Sequence, residues 1–131
     1  MSQTARGEGG RVVITQQLFG SIPVIRIGGD LDRLGAPALE KVFRVHVGAG
    51  NHRLILDLSD CGYIDSGGLA AIMMAVEELR DDGLLAIAVA DPGVRRLLAI
   101  VGLEGRPGCA IFGAAQEALA LLGQAPPERA W

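Results

Sequence analysis

Apolar positions along the chain alternate between short continuous runs and stripes at helical spacing. Val12-Val13-Ile14, within Arg11–Phe19, predicts a strand at a sheet edge. Val24-Ile25-Arg26-Ile27 predicts a second, and the turn Gly20-Ser21-Ile22-Pro23 is short enough to make the two antiparallel. Gly28-Gly29-Asp30-Leu31-Asp32 is expected to break that strand. A helix then opens around Pro37 and runs to about Val47, with Leu39, Val42, Phe43 and Val47 on one side, until Gly48-Ala49-Gly50-Asn51 stops it. Leu54-Ile55-Leu56-Asp57-Leu58 is nearly continuous in apolar residues, the pattern of a central parallel strand covered on both faces.

A loop from Ser59 to Ile64 is expected next, leading to Asp65-Ser66-Gly67-Gly68. Beyond it Leu69, Ile72, Met73, Val76 and Leu79 recur at helical spacing, with Glu77-Glu78 and Arg80-Asp81-Asp82 at the polar end and Gly83 as the stop. Leu84–Ala90 predicts a strand. Asp91-Pro92 pairs a capping residue with a first-turn proline and opens a helix carrying Val94, Leu97, Leu98 and Val101 on one side. Cys109–Phe112 and the stretch from Ala114 to Leu122 predict a last strand and helix.

The order is β-β-α-β-α-β-α-β-α, which predicts an α/β domain: a mixed, mostly parallel sheet of about five strands with about four helices and right-handed crossovers. Residues 1–10, polar and Gly-rich, read as a flexible lead, 11–123 as the single domain and 124–131 as a tail. A length of 131 residues fits one core, and a hydrophobic content of 50% excludes wholesale disorder. Aromatics are only 4%, so that core rests on Leu, Ile, Val and Ala. A formal net charge of −3 argues against direct nucleic-acid binding, which needs a basic face. Cys61 and Cys109 lack metal or redox spacing and read as small reduced hydrophobes. Residues 1–7 contain no apolar segment of a secretory signal, and the longest apolar run, Leu69 to Val76, is far too short to span a membrane, so a cytoplasmic protein is expected.

The segment Leu54-Ile55-Leu56-Asp57-Leu58-Ser59-Asp60-Cys61-Gly62-Tyr63-Ile64-Asp65-Ser66-Gly67-Gly68-Leu69 carries the chemistry. It resembles the central motif of STAS domains, specifically bacterial anti-sigma factor antagonists: an apolar strand ending in Asp-Leu, a loop, then Asp-Ser-Ser/Gly-Gly-Leu and a helix. Gly29-Asp30-Leu31-Asp32 is similar to the family's Gly-Glu-Leu-Asp, and Asp91-Pro92-Gly93-Val94-Arg95-Arg96-Leu97-Leu98, followed by Gly102-Leu103, to its third-helix segment. The resemblance covers about residues 12–122. It implies that Ser66 is phosphorylated by an anti-sigma factor that is also a serine kinase, that the unphosphorylated protein binds this partner and frees a sigma factor, and that a PP2C-type phosphatase restores that form. Many members have a second serine where Gly67 stands.

Physical chemistry leaves two roles open for Ser66. As a plain helix N-cap it would satisfy backbone N–H groups. As a phosphoacceptor it would place its anion where those groups and the helix dipole favour one. Gly67 and Gly68 add no bulk, so a kinase could approach. Asp57, Asp60 and Asp65 are expected to make the surface negative, and phosphate would add roughly −1.5 to −2 charges. Disrupting a polar contact buried at an interface costs about 2–5 kcal/mol, enough for a switch without a change of fold.

The candidate partner-binding set is therefore Asp32, Asp65, Ser66, Gly67, Gly68 and Leu69. Asp32 could instead cap the following helix, Asp65 could bond to loop backbone, and Asp57 reads as structural. His46 and His52 have no second ligand or nucleophile at useful spacing, so neither metal site, cofactor nor catalytic residue is expected. Gly48-Ala49-Gly50 precedes a strand and is no dinucleotide fingerprint. Three functions remain in view: the phosphorylation-switched antagonist, a STAS interaction subunit of a lipid-transport or stress-sensing assembly without a phosphorylation cycle, and a serine enzyme. The last is disfavoured because no base and no GxSxG elbow accompany Ser66.

Overall fold

A computed structural model describes residues 3–6 and 12–123, with side chains placed in the second segment. Six strands, β1 (Gln3–Arg6), β2 (Val12–Phe19), β3 (Ile22–Leu31), β4 (Arg53–Ile64), β5 (Leu84–Ala88) and β6 (Cys109–Phe112), lie side by side in sequence order. The first three are antiparallel neighbours, and β3 through β6 pair in parallel. Helices α1 (Ala36–Gly48), α2 (Ser66–Leu79), α3 (Pro92–Ile100) and α4 (Ala115–Leu121) follow β3, β4, β5 and β6 respectively.

The continuous apolar strands are explained by a sheet covered on both sides. Leu54, Leu56 and Leu58 of β4 and Leu85 and Ile87 of β5 join the main core, shared with Leu39 and Phe43 of α1, Ile72 and Val76 of α2 and Leu98 of α3. The alternate residues, Ile55, Ala86 and Ala88, face the other way and pack with Ala115, Ala118 and Leu119 of α4. Small alanines on both partners let this short helix sit close to the sheet. It covers only part of that face. Beyond it, Val13, Thr15, Arg26, Gly28 and Asp60 line an open depression of about 250 Å³, with Arg26 and Asp60 ion-paired across it.

Three expectations change. Gln3–Arg6, expected within a flexible lead, is an edge strand that pairs with Val13–Gln16 of β2 through its backbone, so its polar composition gave no apolar signal. The Gly28-Gly29 pair does not end β3, and Ser59–Ile64 is no loop. Both segments continue as paired strands, but with register shifts between Arg26 and Gly28 and between Gly29 and Asp30. Arg26 is opposite Asp57 while Gly28 is opposite Asp60, and Gly29 is opposite Cys61 while Asp30 is opposite Tyr63, so β4 carries extra residues at both places. Bulges of this kind bend a strand and re-aim its end. The tail expected at 124–131 lies outside the described residues. Among the described residues no helix is long and apolar enough to cross a membrane.

Both cysteines are buried free thiols, as small core residues would be. Burial pushes the Cys61 thiol up, and the Cys109 thiol up to about 11. His46, in the last turn of α1, ties that helix to β2. Its Nε2–H donates to Gln16 Oε1 at 2.7 Å while Nδ1 accepts from the Asn51 amide at 3.3 Å. Partial burial holds its pKa below the ordinary 6.5. The unfolded chain therefore binds this proton more readily, so stability falls as pH drops through about 6.5. Urea midpoints measured between pH 7.5 and 5.5 should show this decline in the wild type, and His46→Gln should flatten it.

Candidate functional site

The re-aimed end of β4 brings Ile64-Asp65-Ser66 beside the end of β3. Leu31 pairs with Ile64, and the Asp65 N–H donates to the Leu31 carbonyl at 3.2 Å. Asp65 is extended and caps α2: its Oδ1 accepts from the Gly68 N–H at 2.9 Å, and its Oδ2 accepts from the Arg33 N–H at 3.1 Å. One carboxylate thus clamps the first turn of α2 to the β3–α1 loop. The Gly68 N–H bond, with the Arg33 contact behind it, holds this carboxyl below its ordinary range.

The cap assignment moves by one residue. Ser66 is not the N-cap; Asp65 is. Ser66 occupies the first helical position and is exposed to solvent. Its hydroxyl therefore carries no capping bond and stands at the positive end of a 14-residue helix.

Gly67 and Gly68 have a packing role that sequence alone does not reveal. A Cβ on Gly68 would run into the Leu31 carbonyl oxygen and lie 2.8 Å from Leu31 Cγ. A Cβ on Gly67 would lie 2.7 Å from both Cα and Cβ of Arg33. Glycine at these positions lets the helix mouth close directly on the loop. A serine at 67, common in the resembled family, would crowd the Arg33 backbone here.

The remaining expected positions divide between surface and core. Asp32 Oδ1 accepts from the Leu34 and Gly35 N–H groups, both at 3.0 Å, so it shapes the β3–α1 loop, whereas the N-cap of α1 is Gly35, which has no side chain to bond the helix N–H groups. Gly68 and Leu69 are buried, and Leu69 belongs to the main core. Asp32, Asp65 and Gly67 are partly exposed. Asp57 is 3% exposed and accepts from both the backbone and hydroxyl of Ser59, so it adds nothing to surface charge. Asp60 is paired with Arg26. Of the carboxylates expected to make this surface negative, Asp65 is the one at the serine.

Three exposed side chains on the two converging segments were not singled out from sequence: Arg33, Leu34 and Tyr63. Leu34 is 47% and Tyr63 53% exposed, and Tyr63 is the single tyrosine of the chain. The available signal was Tyr63 itself, an aromatic three residues before Ser66 in a chain poor in aromatics. Among the described residues no cluster of His, Cys, Asp and Glu could hold a metal ion.

Residues 14–119 match the family described as "Mlab, STAS domain". The chain belongs to the STAS domain family. A curated relative, the protein named as anti-sigma factor antagonist BtrV of Bordetella bronchiseptica, is 28% identical over 90 residues, covering 68% of this chain and 78% of the relative. Among solved structures, an anti-sigma factor antagonist from Mycobacterium paratuberculosis superimposes with a TM-score of 0.75 at 21% identity, covering 94% of this chain and 95% of that one. The antagonist SpoIIAA in its unphosphorylated form gives 0.67 at 17% identity over 84% of this chain and 96% of the other. The structural likenesses bear on the fold.

Substitution at Gly68, with Gly62 as the control, tests the closed helix mouth. Gly68→Ala should cost about 1–3 kcal/mol in urea unfolding, the usual range for overpacking a filled site. Gly62→Ala, where a Cβ meets nothing within 4 Å, should stay within about 0.5 kcal/mol of wild type. Equal effects at 62 and 68 would contradict the assigned packing.

Proposed function

We propose that this STAS domain is an anti-sigma factor antagonist that binds an anti-sigma factor while Ser66 is unphosphorylated and releases it once Ser66 is phosphorylated, regulating transcription in the cytoplasm by partner switching. The observation that carries this reading is the exposed, uncapped hydroxyl of Ser66 on a rigid helix mouth, in a chain related to a protein named as such an antagonist. The anti-sigma factor is itself the serine kinase. The γ-phosphoryl group of ATP passes to Ser66 Oγ as ADP leaves and the hydroxyl proton is released. A PP2C-type phosphatase reverses the modification with water, returning serine and inorganic phosphate. The docking surface consists of Ser66 with the exposed parts of Asp32, Asp65 and Gly67, and Gly68 and Leu69 support it from beneath.

The energetics favour a local switch. Phosphate adds roughly −1.5 to −2 charges at a point that a partner covers. Repulsion or lost polar contacts of about 2–5 kcal/mol correspond to roughly 30-fold to several-thousand-fold weaker binding. No unfolding is needed, because an anion is well tolerated at a helix N-terminus.

A second reading is a STAS interaction subunit of a lipid-transport or stress-sensing assembly without a phosphorylation cycle, which the family match by itself accommodates equally. Pull-down from the source cells with wild type, Ser66→Ala and Ser66→Asp separates the two. The antagonist reading predicts that Ala retains a kinase-like partner and that Asp loses it by at least ~30-fold in affinity. Equal capture by all three, with no phosphate on Ser66 by intact mass after incubation with ATP and the captured kinase, would favour the second reading.

A further inference from the structure

We propose that Arg33 is the internal counter-ion of phosphorylated Ser66: the guanidinium, mounted on the β3–α1 loop, takes up the phosphate and holds it against the helix mouth. The role rests on Ser66 being the phosphoacceptor, and it adds a regulatory residue that the motif itself does not contain.

The placement follows from contacts on both sides of the serine. The Arg33 N–H is 3.1 Å from Oδ2 of Asp65, the residue before Ser66. Its Cα lies 2.7 Å from where a Cβ of Gly67, the residue after Ser66, would stand. Arg33 therefore crosses the chain at Ser66, and the missing side chain of Gly67 is what lets it approach. Consecutive Cα atoms are only about 3.8 Å apart, so an extended arginine has ample reach to a phosphate on the intervening residue. Arg33 is exposed and, like Arg53, Arg96 and Arg106, forms no salt bridge among the described residues, while its positive charge already helps to hold the Asp65 carboxyl below its ordinary range.

Charge points the same way. The two segments that meet here, 28–35 and 63–69, contain Asp30, Asp32 and Asp65 but a single basic residue, Arg33. The first turns of α1 and α2 add no acidic residue. Without the guanidinium, the charged side chains of these two segments would all be carboxylates, and the helix N-terminus alone would favour a phosphate at position 66. With it, a planar fork can make paired charge-assisted bonds to phosphate oxygens. Phosphorylation would then act twice on a partner. It adds negative charge at Ser66, and it withdraws the one positive group the surface offers there.

The test uses the 131-residue chain with phosphoserine installed at position 66 by genetic encoding, so no kinase is needed. Phosphorus NMR follows the second ionisation of the phosphate, which for an unpaired phosphoserine lies near ~6. A cation beside the dianion lowers that value and carboxylates raise it. The wild-type phosphoprotein should titrate lower than Arg33→Ala by about half a unit or more, with Arg33→Lys in between, and the difference should shrink in 1 M salt. Arg33→Ala leaves the backbone bond to Asp65 in place, and an unchanged amide spectrum of the unphosphorylated variant checks this. Identical titration of wild type and Arg33→Ala overturns the counter-ion role. A kinase that fails to modify Ser66 would sink the switch yet leave this measurement standing.

Discussion

The site depends on a close approach between two pieces of chain: the first turn of α2 rests directly on the end of β3, with no side chain between them. Gly68 sits against Leu31 and Gly67 against Arg33, and in both places a Cβ would have to displace neighbouring atoms. The Asp65 carboxylate then bonds to N–H groups from both pieces, at Gly68 and at Arg33. Because Asp65 performs the capping, Ser66 is released from it. A hydroxyl that would otherwise be consumed in starting the helix is left facing solvent on a backbone that cannot easily move.

The register shifts between β3 and β4 make that approach possible. With them, Ile64 pairs with Leu31 and Asp65 turns into the helix. The rest of the fold serves as a stiff support. A sheet buried by α1, α2 and α3 on one face and by α4 on part of the other fixes where the strand ends lie.

Element order and the cores of the strands and helices were legible because apolar periodicity reports burial. Leu54 to Leu58 reads as a two-sided strand, and the stripe from Leu69 to Leu79 reads as a helix. The second halves of β3 and β4 were not, since Gly28-Gly29 and Ser59-Asp60-Cys61-Gly62 have the composition of turns and pair through backbone groups with irregular register. β1 was missed for a similar reason: Gln3-Thr4-Ala5-Arg6 has no apolar pattern, and its pairing is a matter of backbone. At the site, the Asp-Ser-Gly-Gly motif located the serine, but which residue caps is a question of one N–H bond, which spacing cannot decide. The glycines looked like room for an approaching enzyme, whereas they make room for the protein's own loop. Leu69 was read both into the apolar stripe of the helix and into the docking set, and it is buried in the main core. Arg33 could not be connected with Ser66 from sequence, because the contact joins residues from two different strand ends.

On the proposed phosphorylation of Ser66, a hydroxyl held on this closed helix mouth would switch binding through charge, not through shape. That is the central physical claim, and it is open to direct measurement. Amide proton–nitrogen spectra of the protein with serine and with phosphoserine at position 66 compare the two states residue by residue. The account predicts shifts confined to residues 31–35 and 63–70, with β5, β6 and α4 unmoved. Shifts spread through those distant elements would show that phosphate rearranges the fold and would contradict it.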